Sequence, residues 1–223
     1  MLIVFAVGLI AILNIKVTTR QGINYRWHTI RMPLYLKILD FFDRHYNYEE
    51  LTKRIIGDTK TDKERIMKIF EWTCQNIRKV PDSFPIIDDH VWHIIIRGYG
   101  MPDQSSDVFA TLCNYAGVDA FFLMIKPKDQ TLETPLSFVK LDKKWRVFDP
   151  YNRVYFKNKN GDLASIDDIN KGDWEIVSIG EIKKLDYRII FQYVPALNKV
   201  SLKRSNIQSP LRRIIFEVRK LIK

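Results

Sequence analysis

The stretch Gly98-Tyr-Gly-Met-Pro-Asp-Gln-Ser-Ser-Asp-Val-Phe-Ala-Thr-Leu-Cys-Asn-Tyr-Ala-Gly117-Val118 constrains the fold more than any other, because it writes both ends of one helix. Pro102 suits the first helical position, where the missing N–H costs nothing and the fixed φ is already helical. Asp103 and Asp107 put negative charge near the positive end of the helix dipole, and Gly117 stands where a left-handed terminator is wanted. Val108, Phe109, Leu112, Cys113, Tyr115 and Ala116 recur at spacings of three and four and fill more than one face. That pattern predicts a buried, central helix rather than a surface one.

After Gly117 the period changes. Val118 to Ile125 is short, rich in aromatic and branched residues, and stops at Lys126-Pro127, which reads as a strand. Leu136 to Leu141 and Lys144 to Asp149 follow, separated by Asp142-Lys143, and read as a hairpin. The expectation is an α+β fold in which a central helix packs on an antiparallel sheet.

Before this unit, Thr61-Asp-Lys-Glu64 has the form of a capping box. It starts a helix whose inner face is Ile66, Ile69, Phe70, Thr73, Cys74 and Ile77. Cys74 and Cys113 both fall on apolar faces, so buried thiols are expected rather than a disulfide framework. His45 reads as a surface histidine. The sequence contains no CxxC, HExxH, P-loop or GxGxxG pattern, so neither a metal site nor a nucleotide cradle, and no cofactor, is expected. Asp88-Asp-His-Val-Trp-His93 is the one polar cluster upstream of the central helix. His90 and His93 there read mainly as enclosed by the apolar run Val91 to Ile96, with a metal or base role as the sharper alternative.

The two ends of the chain differ from its middle. Met1 to Leu13 is uncharged and almost wholly apolar, and Asn14 and Ile15 extend the run before Lys16. Fifteen helical residues rise only about 22 Å, short of a hydrocarbon core of roughly 30 Å. A membrane anchor is favoured over a buried first element or a clipped longer span. Lys16, Arg20, Arg26 and Arg31 all follow it, a bias that would hold the next domain on the cytoplasmic side. Val17 to Ile30 alternates loosely, as a strand would, and Tyr187 to Val194 is a further strand candidate. From Lys199 onward eight Lys or Arg face one acid, Glu217, a net of +7 out of the chain's +10. Ser209-Pro210 starts a final amphipathic helix with Leu211, Ile214, Ile215, Val218, Leu221 and Ile222 on one stripe and Arg212, Arg213, Arg219, Lys220 and Lys223 off it. Such a basic helix suits a membrane surface or a protein partner. Nucleic acid is disfavoured, because no aromatic-interleaved basic groove accompanies it.

The order "helix ending Ala-Gly-Val-Asp-Ala, strand, hairpin, Lys-Trp-Arg-Val-Phe-Asp-Pro" resembles the transglutaminase-like superfamily, relatives of the papain-type cysteine proteases. Members open the central helix with a Gly-x-x-Cys-Asp-Gln type sequence, place a His at the start of the next strand, and close with Trp-x-x-x-Asp-Pro. Here Asp103-Gln104 and Trp145-Arg-Val-Phe-Asp149-Pro150 stand in those places, and Asp62 to Ile77 is similar to the family's preceding helix. The resemblance covers roughly residues 58 to 152. It implies a papain/transglutaminase-like core flanked by the N-terminal apolar segment and the C-terminal basic helix. The parts would be residues 1–17 (apolar segment), 18–57 (extension), 58–195 (transglutaminase-like domain) and 196–223 (basic tail).

The departures from that pattern carry the functional expectation. The nucleophilic Cys falls on Pro102, the strand that should supply the His begins Thr134-Pro-Leu-Ser, and no His follows His93. Of the three catalytic positions only Asp149 is retained, and with no His to orient it reads as a turn residue before Pro150. A family cysteine works because its thiolate sits at a helix N-terminus opposite an imidazole, and proline does neither job. Cys113 returns to the face of Pro102 eleven residues on, but about 16 Å further along the axis. Ser105 and Ser106 are alternative nucleophiles only if His90 or His93 reaches them; otherwise they bond within the first turn. The resemblance also implies a groove at Asp103, Gln104 and Trp145. The leading expectation is therefore a catalytically inactive, membrane-associated binding or scaffold module. A hydrolase or acyl-transferase built on a Ser/His site is the alternative, and a module for acidic polymers the third.

Overall fold

The computed structural model describes residues 1–21, 28–87, 90–128, 133–180, 185–197 and 209–222. The central helix, α5 (Pro102–Tyr115), has the ends that the sequence marks. Pro102 is at its first position, Gly117 takes φ 84° just beyond its end, and Val118 N–H returns to Cys113 O at 2.9 Å. Every residue from Asp103 to Cys113 is buried. It lies between three helices and a sheet.

The helices are α2 (Leu34–Ile56), α3 (Asp62–Asn76) and α4 (Val91–Arg97). α3 begins with the expected capping box: Thr61 Oγ1 accepts from Glu64 N–H at 3.2 Å, and Glu64 Oε2 accepts from Thr61 N–H at 3.1 Å. All six residues read as its inner face are buried. Two-residue strands β3 (Arg78–Lys79) and β4 (Tyr99–Gly100) pair in parallel and tie the end of α3 to the start of α5.

The sheet is fully antiparallel, in the order β5 (Ala120–Ile125), β6 (Thr134–Leu141), β7 (Lys144–Asp149), β8 (Val154–Lys157), β9 (Glu175–Ser178). The β6–β7 hairpin turns through Asp142 and Lys143, both at positive φ (50° and 63°), as a tight two-residue turn matched to strand twist demands. Because side chains alternate along a strand, neighbouring residues serve different layers. Phe148 faces the helices and meets Phe70 and Phe109 with ring centroids 5.2 Å away in each case. Val147 faces the opposite layer with Phe138, Phe156, Ile190 and Phe191. The fold is α+β, with a central helix on an antiparallel sheet whose two faces are both covered.

That second layer holds α6 (Ile166–Asn170) and α7 (Tyr187–Phe191). The expectation of a strand over Tyr187 to Val194 is corrected here. Asp186 accepts from the N–H groups of Arg188 and Ile189, starting a short helix, and Tyr187, Ile190 and Phe191 recur at helical spacing and are buried. At the N-terminus, α1 (Leu2–Leu13) leads into an antiparallel hairpin of β1 (Lys16–Gln21) and β2 (His28–Pro33), which carries the expected strand. Among the described residues no helix is long and apolar enough to cross a membrane. Helix α8 (Pro210–Leu221) is capped by Ser209, whose Oγ accepts from Arg212 N–H. Cys74 and Cys113 are free and buried. His45 is half-buried, its Nδ1 2.9 Å from the Tyr115 hydroxyl, because α2 lies along the core rather than outside it.

Candidate functional site

The site is built from the first turn of α5 outward. Met101 N–H donates to Gln104 Oε1 at 2.9 Å, and Gln104 Nε2 donates to Ile87 O at 2.7 Å. Gln104 thus spends both ends of its amide on fastening the loop that enters the helix. Gly100 gives this loop room: a Cβ there would meet Gln104 Cβ and Oε1 at 3.1 Å and Ile94 at 3.2 Å, so those side chains would have to shift by a few tenths of an ångström. Pro102 supplies neither a nucleophile nor an N–H, and Asp103 beside it is buried.

Ser105 and Ser106 are 1% and 0% exposed, and neither Oγ has a hydrogen-bond partner among the described residues. First-turn bonding of these hydroxyls, the simple expectation, is absent. Ser106 is held instead by its carbonyl, which accepts from Ser137 Oγ on β6 at 3.4 Å. A hydroxyl in this position has no route to bulk solvent through its own surface.

His90 precedes α4 and His93 lies in its first turn, with ring centroids 6.0 Å apart. Burial drives the His90 imidazole down to about 3, and the charges of Arg44, Arg213 and His93 push the same way. A general base is most effective when its pKa lies near the working pH, so His90 is a poor proton acceptor for a serine. The carboxylates of Asp88 and Asp89, read with these histidines as one cluster, lie outside the described residues. Among the described residues no three His, Cys, Asp or Glu side chains converge as a metal site.

Asp149 closes β7 and is 1% exposed. Its Oδ1 accepts from Asn152 N–H at 3.0 Å, and its Oδ2 from Asn152 Nδ2 and Tyr187 Oη, both at 2.8 Å. Burial raises its pKa, opposed by the bonds from Asn152 and Tyr187. Burial is also the first cause of the upward shift of Tyr187, with the Asp149 charge adding to it. The turn role expected for Asp149 is therefore what the geometry shows, in the Asp149–Asn152 pairing. Tyr187 is the partner sequence reasoning missed, because it sits in the run read as a strand. Ser137 pairs with Phe148, so the residue beside Asp149 on β6 is Leu136, fully buried, while the strand opens on buried Thr134. Leu136 and Thr134 offer carbon and one hydroxyl there, and no imidazole.

The groove expected at Asp103, Gln104 and Trp145 is not assembled. Trp145 shares a strand face with Val147, away from α5, and packs on Phe121 with centroids 4.9 Å apart. The four cations of the C-terminal helix also divide. Arg212 donates to Asn114 Oδ1 and to Asn114 O (3.2 Å) and lies 3.4 Å from Asp119 Oδ1, an intramolecular clamp. Arg213 is half-buried near His90, whereas Arg219 and Lys220 are exposed.

No family model matches the chain. No curated protein matches its sequence. Solved structures similar to it include a protein assigned as a cysteine protease from Cytophaga hutchinsonii, at 15% identity and TM-score 0.41, over 60% of this chain and 47% of that one. Another, assigned as a protease from Parabacteroides distasonis, has 15% identity and TM-score 0.41 over 74% of this chain and 34% of that one. A third, a TGase, has 13% identity and TM-score 0.39 over 60% and 43%. The chain spans less than half the length of each of these structures.

Proposed function

We propose that this protein is a catalytically silent, transglutaminase-like module that acts by binding or scaffolding at a membrane rather than by covalent chemistry. One observation carries the reading. The single retained acid, Asp149, has both carboxylate oxygens committed to Asn152 and Tyr187, with Leu136 rather than an imidazole beside it and Pro102 in place of the thiol. A triad acid must orient a histidine, and this one orients a turn and a helix.

The serine alternative rests on the unpartnered Oγ atoms of Ser105 and Ser106. His90 is a poor base for it, being buried, held at low pKa and set beside Arg44 and Arg213, and neither serine Oγ has a hydrogen-bond partner among the described residues, so His93 does not engage one either. Hydrolysis of activated esters and transfer of acyl groups to amines by the full chain test the choice. We expect the wild type and the Ser105→Ala/Ser106→Ala variant to give the same background rate. A wild-type rate tenfold above that variant would establish a serine enzyme and end the silent-module reading.

A further inference from the structure

Amphipathic helices that belong to a domain bury the apolar stripe and show water the polar side. Helix α8 does the reverse. Leu211, Ile214, Ile215, Val218, Leu221 and Ile222 are all exposed, the last two at 87% and 79%. Arg212, Arg213, Phe216 and Glu217 are the half-buried, inward-facing residues. The helix is fastened through polar groups: the Ser209 cap, and Arg212 on Asn114 and Asp119. Among the described residues none buries this apolar side.

The neighbourhood continues the same surface. α8 touches α2, and so does α1. The first half of α2 leaves Leu36, Ile38, Leu39 and Phe42 exposed, and α1 exposes Ile3, Val4, Phe5, Val7, Leu9 and Ile10. Apart from Asp43, exposed beside Phe42, its exposed charges next to the apolar residues are positive. Arg219 and Lys220 are exposed beside Leu221 and Ile222, and Lys16 and Arg31 are exposed on the hairpin between α1 and α2. The one acid in the first nine residues of α2, Asp40, is paired with Arg44. A second copy of the chain would bring like charges together. An anionic bilayer supplies hydrocarbon for the stripe and negative headgroups for the snorkelling cations.

We infer that the outward stripe of α8, together with the exposed apolar faces of α2 and α1, docks into the interface of an anionic bilayer, with the Arg212 clamp holding the helix apolar side out. This rests on the membrane-associated part of the function proposed above and specifies the surface that meets the lipid.

The test uses the full chain carrying Leu221→Cys labelled with an environment-sensitive nitrobenzoxadiazole; the native thiols of Cys74 and Cys113 are buried. Flotation and emission are read with phosphatidylcholine vesicles, with and without phosphatidylserine. Flotation with the anionic vesicles, together with a blue-shifted, brighter probe, is the expected result. Arg219→Gln/Lys220→Gln should weaken partitioning about thirtyfold, about fivefold per charge removed. Flotation without any change at position 221 would overturn the inference while leaving membrane association standing. Absence of flotation would overturn both. A blue shift that grows with protein concentration in the absence of lipid would assign the stripe to a second copy and overturn the bilayer.

Discussion

His90 shows how far an environment can disarm a residue that looks functional in a sequence. Its imidazole is buried beside Arg44, Arg213 and His93, and its folded pKa is about 3 against an ordinary 6.5. Between those values the unfolded chain binds the proton and the folded chain does not, so stability rises with pH across that window. The contribution of neutral His90 is complete above pH 6.5 and is lost as pH falls toward 3. The slope is at most about 1.4 kcal/mol per pH unit. As pH is lowered from about 7.5 to about 4.5, urea midpoints should therefore fall more steeply for the wild type than for His90→Gln. Equal slopes would mean that His90 is protonated in the folded protein. Ser105 and Ser106 make the complementary point: their hydroxyls have no partner among the described residues, yet both side chains are packed away from solvent.

At the scale of elements, α7 is tied to the sheet by one buried bond, Tyr187 Oη to Asp149 Oδ2 at 2.8 Å. A hydrogen bond to a charged group is worth roughly 1.5–3 kcal/mol, so Tyr187→Phe should cost about that much in urea unfolding. A change within about 0.5 kcal/mol, typical of surface sites, would contradict the clamp. This tie marks the limit of what the sequence discloses. The elements with local signals were legible: Pro102 and Gly117 bound α5, Thr61 and Glu64 start α3, and Asp142-Lys143 turn the hairpin. The turn role of Asp149 was legible too, although its partner Asn152, three residues on, was not named. α7 was not, because the aromatic and branched residues of Tyr187 to Val194 favour strand while the Asp186 cap and the spacing of Tyr187, Ile190 and Phe191 favour helix. Tertiary burial decided between them. Trp145 was misplaced for a related reason: strand alternation fixes which residues share a face, but the layer each face meets depends on the whole topology.

Across the whole molecule the chemistry-bearing and the sticky surfaces are separated. Asp103, Thr134 and Asp149 are buried, while most of the exposed large apolar residues lie on α1, α2 and α8. Much of the formal charge of +10 comes from the C-terminal tail that ends in α8. On the function proposed above, such a protein would meet its surroundings through these helix faces. The decisive measurement is reaction of the native full chain with serine-directed fluorophosphonate and cysteine-directed alkylating probes, read by intact mass and peptide mapping. The account predicts no adduct at Ser105, Ser106, Cys74 or Cys113 in the folded protein, with thiol labelling only on unfolding. An adduct at Ser105 or Ser106 that forms in the folded protein and is lost on unfolding would contradict it.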